Sequence, residues 1–280
     1  MHVATDAPRA AAGPAVAQAL ATSTLAFRTV PGHTPDWITV DALTDSARWR
    51  DIADRYSRHI GTPHTAIGGV CALQHYTGRL LQPVVAVWAV EAAVLDLQQH
   101  RWWARLDEEG ATREVSCPGL PIERFEVTPE ELTARIREHV APLVSAVCEA
   151  TGIVERVALG GVAASFAGAL QVCHQGIPRS RRSEFRLQAE RAVAHLRCGG
   201  RQLVSLVDLD IERQQSPTAA VFSHDRRTCC LIRLGRAHRE CDSCPQLPES
   251  ERRRRQHSTA FRSLRPRIDL RSAGDPIHGS

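Results

Sequence analysis

Four cysteines fall within sixteen residues near the end of this 280-residue chain: Cys229, Cys230, Cys241 and Cys244, in the stretch RRTCCLIRLGRAHRECDSCP. Thiolates are soft ligands, so such a set selects zinc or an iron–sulfur cluster over the harder ions that prefer oxygen. The two-residue gap between Cys241 and Cys244 is common to both metal classes. The adjacent pair Cys229-Cys230 is not: zinc ligand pairs are usually spaced by about two to four residues, which lets a turn aim both sulfurs at one ion. Adjacent side chains of an extended chain point to opposite faces. They suit a wider target, such as a rhomb of two irons, and the C-C-x10-C-x2-C pattern also differs from plant-type ferredoxin spacing. Geometry therefore favours a binuclear cluster. A structural zinc site, a vicinal disulfide or redox dithiol, and thiols without metal stay open as alternatives.

The flanks are basic. Arg226, Arg227, Arg233, Arg236 and Arg239 surround the thiols, with His224 and His238. A two-iron, two-sulfide centre on four thiolates carries a formal charge of about −2, and one electron makes it about −3. Nearby cations favour the reduced form and raise its potential. Composition alone also yields a basic flank, because the chain has no lysine and all 35 basic residues are Arg. The other five cysteines, Cys71, Cys117, Cys148, Cys173 and Cys198, are scattered, mostly in apolar or helical contexts. They read as free thiols of a reducing compartment and not as a disulfide framework.

Other chemistries find little support. There is no phosphate-cradling Gly loop and no G-x-G-x-x-G fingerprint, which argues against direct use of a nicotinamide cofactor. The thirteen His residues are dispersed, without paired metal spacing. The net charge of +4 is uneven: residues 251–280 hold eight Arg and three acids, a local +5, so the rest sums to −1. Nucleic-acid binding would have to rest on that tail alone.

The elements that must hold the thiols read as mainly α with a few short strands (α+β), since Ala is abundant and aromatics are few. Residues 1–36 read as a loosely ordered leader, with at most one short helix and no signal-peptide pattern. Residues 37–220 read as a helical body. Helices are expected over 42–60 and over 65–81, the latter punctuated by Pro83. A small strand pair is expected around 94–105, ended by DEEG. The clearest start is Thr128-Pro129-Glu130-Glu131, with an N-cap Thr, Pro at the first position and Glu three residues after the cap. Leu132, Ile136, Val140, Leu143 and Val147 follow as one apolar stripe, ended by Gly152. A central helix spans 154–174, too short and small-sided to read as a membrane span. Another spans 181–198, closed by Gly199-Gly200. LVSLVDLDI, 203–211, reads as a strand or a helix start. Residues 221–248 read as a compact cysteine segment, the part expected to bind any cluster, and 249–280 read as a disordered Arg-rich tail.

The stretch RRTCCLIRLGRAHRECDSCP, close to the C-terminus after a helical body, resembles the FhuF-type ferric siderophore reductases. GGVAASFAGAL also looks like that family's central helix. The resemblance implies that Cys229, Cys230, Cys241 and Cys244 ligate one [2Fe-2S] cluster. It further implies an oxidoreductase of the cytoplasm, in possible contact with the inner membrane face. Such a protein reduces the ferric iron of an imported siderophore by one electron and releases ferrous iron. An external donor of ferredoxin or flavin type would supply the electron. The helical body would cradle the siderophore; Trp88, Trp102 and Trp103 are pocket candidates, with buried core the simpler role for each. Two alternatives remain: an iron–sulfur sensor that grips nucleic acid through the Arg-rich tail, and a structural zinc module.

Overall fold

The capping box at Thr128 forms as its spacing requires. The Thr128 hydroxyl accepts from the Glu131 N–H at 3.2 Å, and the Glu131 carboxylate accepts from the Thr128 N–H at 2.9 Å. In the computed structural model, which describes residues 10–32, 34, 36–209, 221–236, 240–262 and 267–271, this box opens α4 (Pro129–Thr151). All five residues of the apolar stripe are buried, and Gly152 ends the helix in the left-handed conformation.

In chain order the elements are α1 (Pro14–Ala21), β1 (Phe27–Arg28), β2 (Trp37–Thr39), α2 (Ser46–His59), α3 (Thr65–Glu91), β3 (Val94–Leu95), β4 (Trp103–Leu106), β5 (Thr112–Ser116) and β6 (Ile122–Arg124). After α4 come α5 (Glu155–Gly176), α6 (Arg182–Ala194), β7 (Arg197–Cys198), β8 (Arg201–Gln202), β9 (Val204–Leu209), β10 (Val221–Arg226) and α7 (Glu249–Arg262). The fold is mainly α with short strands, in line with composition. The long helices α3 and α5 run against each other through the core, with α2 and α4 packed around them. By length and composition α5 is apolar enough to cross a membrane, but two-thirds of it is buried inside the protein.

Several expectations need correction. The described part of the leader is not loose: Val16, Leu20, Leu25 and Phe27 are buried in the main core, and β1 pairs with β5 in parallel. Pro83 does not end its helix. α3 continues to Glu91, because 80–89 is buried throughout and packing outweighs the one lost backbone bond. The strand pair expected around 94–105 is split between two sheets. β3 pairs with β6, whereas β4 turns at DEEG to pair with β5 and also borders β2 in the four-stranded order β1-β5-β4-β2. Gly199 and Gly200, both at positive φ, close no helix; they form the turn of the β7–β8 hairpin. The 203–211 stretch is a strand, β9, paired antiparallel with β10 from Val204↔Arg226 to Leu209↔Val221.

The tail is the largest departure. Residues 249–262 are not disordered; they form α7, laid against β9 and β10. Its start carries Glu251 with Arg254 and Arg255 three and four residues on, a spacing that stabilises a helix locally. Residues 272–280, the end of the expected tail, lie outside the described residues.

Candidate metal centre

The thiols sit on the chain that leaves β10. Three contacts fix where that chain runs. Thr228 presses on α5 so closely that a Cβ on Gly160 would lie 1.7 Å from its hydroxyl. A Cβ on Gly235 would lie 2.6 Å from the Ile60 carbonyl at the end of α2, and the Arg236 N–H donates to Gly61 O at 3.3 Å. Glycine at both points is a requirement of close approach. The third contact is Arg226, 3 % exposed, which donates to Thr228 O at 3.2 Å and to Gln74 Oε1 on α3 at 3.1 Å.

After the adjacent cysteines the chain reverses sharply. Leu231 takes a left-handed φ of 64°, and its N–H turns back to donate to Cys229 Sγ at 3.3 Å. A non-glycine residue there is uncommon, and the observed bond shows what the strain accompanies. On the other side, the Cys244 N–H closes a turn onto Cys241 O at 3.0 Å, and Arg226 N–H donates to Ser243 O at 3.3 Å. The end of β10 is thereby tied to the second pair of thiols.

The predicted ligands are neighbours: Cys244 and Cys230 act on Cys229, and Cys241 and Cys71 act on Cys230. Cys230 and Cys244 are buried, Cys229 and Cys241 half-buried, and all nine cysteines are free thiols. Among the described residues, no three His, Cys, Asp or Glu side chains converge closely enough to hold a single ion. The neighbouring thiols of Cys241 and then Cys71, with the charge of Arg226, hold the Cys230 thiol below its ordinary range. Burial pushes the Cys229 thiol up.

Several of these partners are not evident from the local sequence. Cys71, on α3, is buried against Cys230, its thiol 4.0 Å from the Cys230 carbonyl. Nothing near Cys71 in the chain marks it, since the contact spans 159 residues. Of the flanking cations, only Arg226 is buried beside the thiols: Arg227, Arg233 and Arg236 are exposed, and His238 and Arg239 lie outside the described residues. His224 lies along β10, lowered to about 4 by burial first and then by Arg226.

Asp225 secures the back of the site. It accepts from Arg252 at 2.9 Å, from Arg253 at 2.8 and 2.9 Å, and from Gln256 at 3.0 Å, all on α7. Arg255 donates to Glu240 O at 3.0 Å, and the Thr259 hydroxyl bonds to Asp242 beside Cys241. The Arg-rich run therefore clamps the cysteine segment from behind.

The tryptophans stand elsewhere. Trp102 is fully buried, donating to Asp96 O at 2.8 Å, and Trp103 is half-buried on β4. Trp88 lines a separate cavity of about 450 Å3 with Phe185 and Arg181. The cavity that does touch the thiols, about 510 Å3, lies between α3 and α5. In comparisons with known proteins, no protein-family model matches this chain and no curated protein matches it.

Proposed function

We propose that Cys229, Cys230, Cys241 and Cys244 hold a [2Fe-2S] cluster, and that the protein reduces the ferric iron of an imported siderophore by one electron, releasing ferrous iron in the cytoplasm. What supports this reading is the gathering of the thiols where the chain leaves β10: the Leu231 N–H turns back onto Cys229 Sγ, the Cys244 N–H closes onto Cys241 O, and Arg226 is buried beside them. Adjacent cysteines suit two irons better than a structural zinc ion, whose ligand pairs are usually spaced by about two to four residues. Bound there, a [2Fe-2S] cluster supplies reversible one-electron chemistry.

The chain's own residues supply the rest. Arg226 sets a buried positive charge against the thiols, which favours the reduced state. Ile232 and Leu231 offer backbone N–H groups to Cys230 and Cys229, stabilising thiolate charge. An outside donor of ferredoxin or flavin type delivers the electron. Siderophores grip ferric iron with hard oxygen donors, and ferrous iron, with lower charge, is held more weakly. A sensor that grips nucleic acid through its Arg-rich tail draws less support. Arg252 and Arg253 are engaged by Asp225, and Arg254 and Arg255 by Glu251.

The test is anaerobic purification with iron, zinc and sulfide assays, an absorption spectrum, and EPR before and after dithionite. Two irons and two sulfides per chain are expected, with an EPR signal only after reduction, followed by reoxidation on adding a ferric siderophore. A colourless protein with one zinc per chain overturns the reading.

A further inference from the structure

We infer that the cavity between α3 and α5 docks the anionic, oxygen-rich face of a ferric chelate, with Arg226 and Arg267 as its charge anchors. This rests on the reductase reading and names its substrate class. The cavity of about 510 Å3 has Cys230 and Cys241 in its wall. That is within the range of small-ligand sites, roughly 300–1,000 Å3.

Its chemistry is one-sided. Arg226 and Arg267 line it, and no Asp or Glu is among the described residues that do. Uncharged donors and acceptors complete the wall: Gln74, Gln82, Ser165 and Gln171. Two of these lining groups are buried with a polar atom that finds no partner in the protein. Arg226, 3 % exposed, leaves Nη2 open while its other nitrogens bond Thr228 and Gln74. Gln82, 8 % exposed, leaves Oε1 open. Buried donors and acceptors are ordinarily satisfied, so open ones at a cavity wall mark a place for a polar guest. Arg267 is half-buried, and its guanidinium donates to Thr24 O at 3.4 Å. The positive field extends behind the wall, where Arg79 is held below the usual guanidinium range by burial first and then by Arg267 and Arg113.

An anion carrying ferric iron would satisfy this field and bring the metal beside the thiol wall. The step is then Fe(III) plus one electron giving Fe(II). The external one-electron donor restores the electron, and no covalent bond to the protein forms. Cations at this wall also offset the charge of thiolates, which would otherwise repel an anionic guest.

Gly168 makes the inference testable without disturbing the thiols. It lines the cavity on α5, and a Cβ added there meets nothing within 4 Å. Gly168→Leu therefore extends into the cavity and replaces glycine with a better helix former. Gallium(III) chelates are redox-inert, so their binding is read by calorimetry independently of electron transfer. The holoprotein is expected to bind a trianionic gallium tris-catecholate at least about tenfold more tightly than a neutral gallium tris-hydroxamate. Arg267→Gln should weaken the anionic chelate about fivefold or more, and Gly168→Leu should abolish its binding with circular dichroism unchanged. Equal affinity for the neutral chelate, or undiminished binding to Gly168→Leu, overturns the inference. Reoxidation of the dithionite-reduced protein by the ferric chelates is scored separately. Reoxidation that persists in Gly168→Leu sinks the docking site and leaves the reductase reading intact. Gallium binding as expected, without reoxidation by any ferric chelate, sinks the reductase reading instead.

Discussion

Thr228 rests on Gly160 with no room for a side chain between them: a Cβ on Gly160 would lie 1.7 Å from the Thr228 hydroxyl and 2.7 Å from its Cβ. Thr228 immediately precedes Cys229, so this contact sets where the first thiol pair leaves the body. Gly160→Ala should push the Cys229-Cys230 turn off α5. The expected outcome is iron and sulfide content reduced severalfold, with helical circular dichroism retained because alanine favours helix over glycine. Full metal content in this variant would show that the turn can shift freely.

The clamp of α7 on Asp225 has an acid signature. Burial opposes ionisation of Asp225, but hydrogen bonds from Arg253 and Gln256 and the charges of Arg253 and Arg252 prevail, holding its carboxyl down at about 2. A carboxyl lowered in the folded state stabilises the protein fully above the unfolded value near 3.8 and loses that contribution as pH falls through about 2. The contribution is of order 2 kcal/mol. Asp225→Asn should lower urea stability at pH 7 by about that amount and flatten the acid limb between pH 4 and 2. A variant with unchanged stability at pH 7 would mean the clamp carries no net energy.

Buried histidines govern the window above that one. His139 bonds the Tyr76 hydroxyl at 2.8 Å and the Leu97 carbonyl, and burial lowers it to about 4. His174, edge-on to Phe222, is also lowered to about 4, by burial first and then by Arg182 and Arg186. The unfolded chain takes up these protons near 6.5 while the folded one does not, so stability is full above about 6.5 and falls as pH drops toward 4. The loss is up to about 3 kcal/mol for His139. With His224, lowered to about 4 in the same way, stability measured from pH 7 to 4 should decline with a slope approaching three protons, and His139→Gln should remove one of them.

The fifth thiol is expected to tune the centre without holding it. The Cys71 thiol donates to the Cys230 carbonyl oxygen and lies on a different element from the four proposed ligands. Cys71→Ala should retain iron and sulfide near wild-type levels and shift the midpoint potential lower, because the donor that offsets the negative end of the Cys230 carbonyl beside the centre is lost. Cys230→Ser should lose the metal. Loss of metal from Cys71→Ala to the same extent would assign Cys71 a ligand or structural role.

Local chemistry was legible in the chain itself. The Thr128 capping box, the α4 stripe and the central apolar helix depend on neighbours within a few residues, and each appears where its pattern stands. What tertiary structure decided lies across long separations. Arg226 differs from Arg227, Arg233 and Arg236 only because Gln74, 152 positions away, receives it in a buried site. Residues 249–262 look solvated by composition. They become a helix because Asp225, one of the few buried carboxylates among the described residues, gathers Arg252, Arg253 and Gln256 onto one face. Pro83 reads as a stop until the burial around it outweighs its missing N–H. Short-range patterns set which segments form and which way their side chains face. Desolvation and charge pairing between distant segments decided which arginines turn inward, and so what surrounds the four thiols.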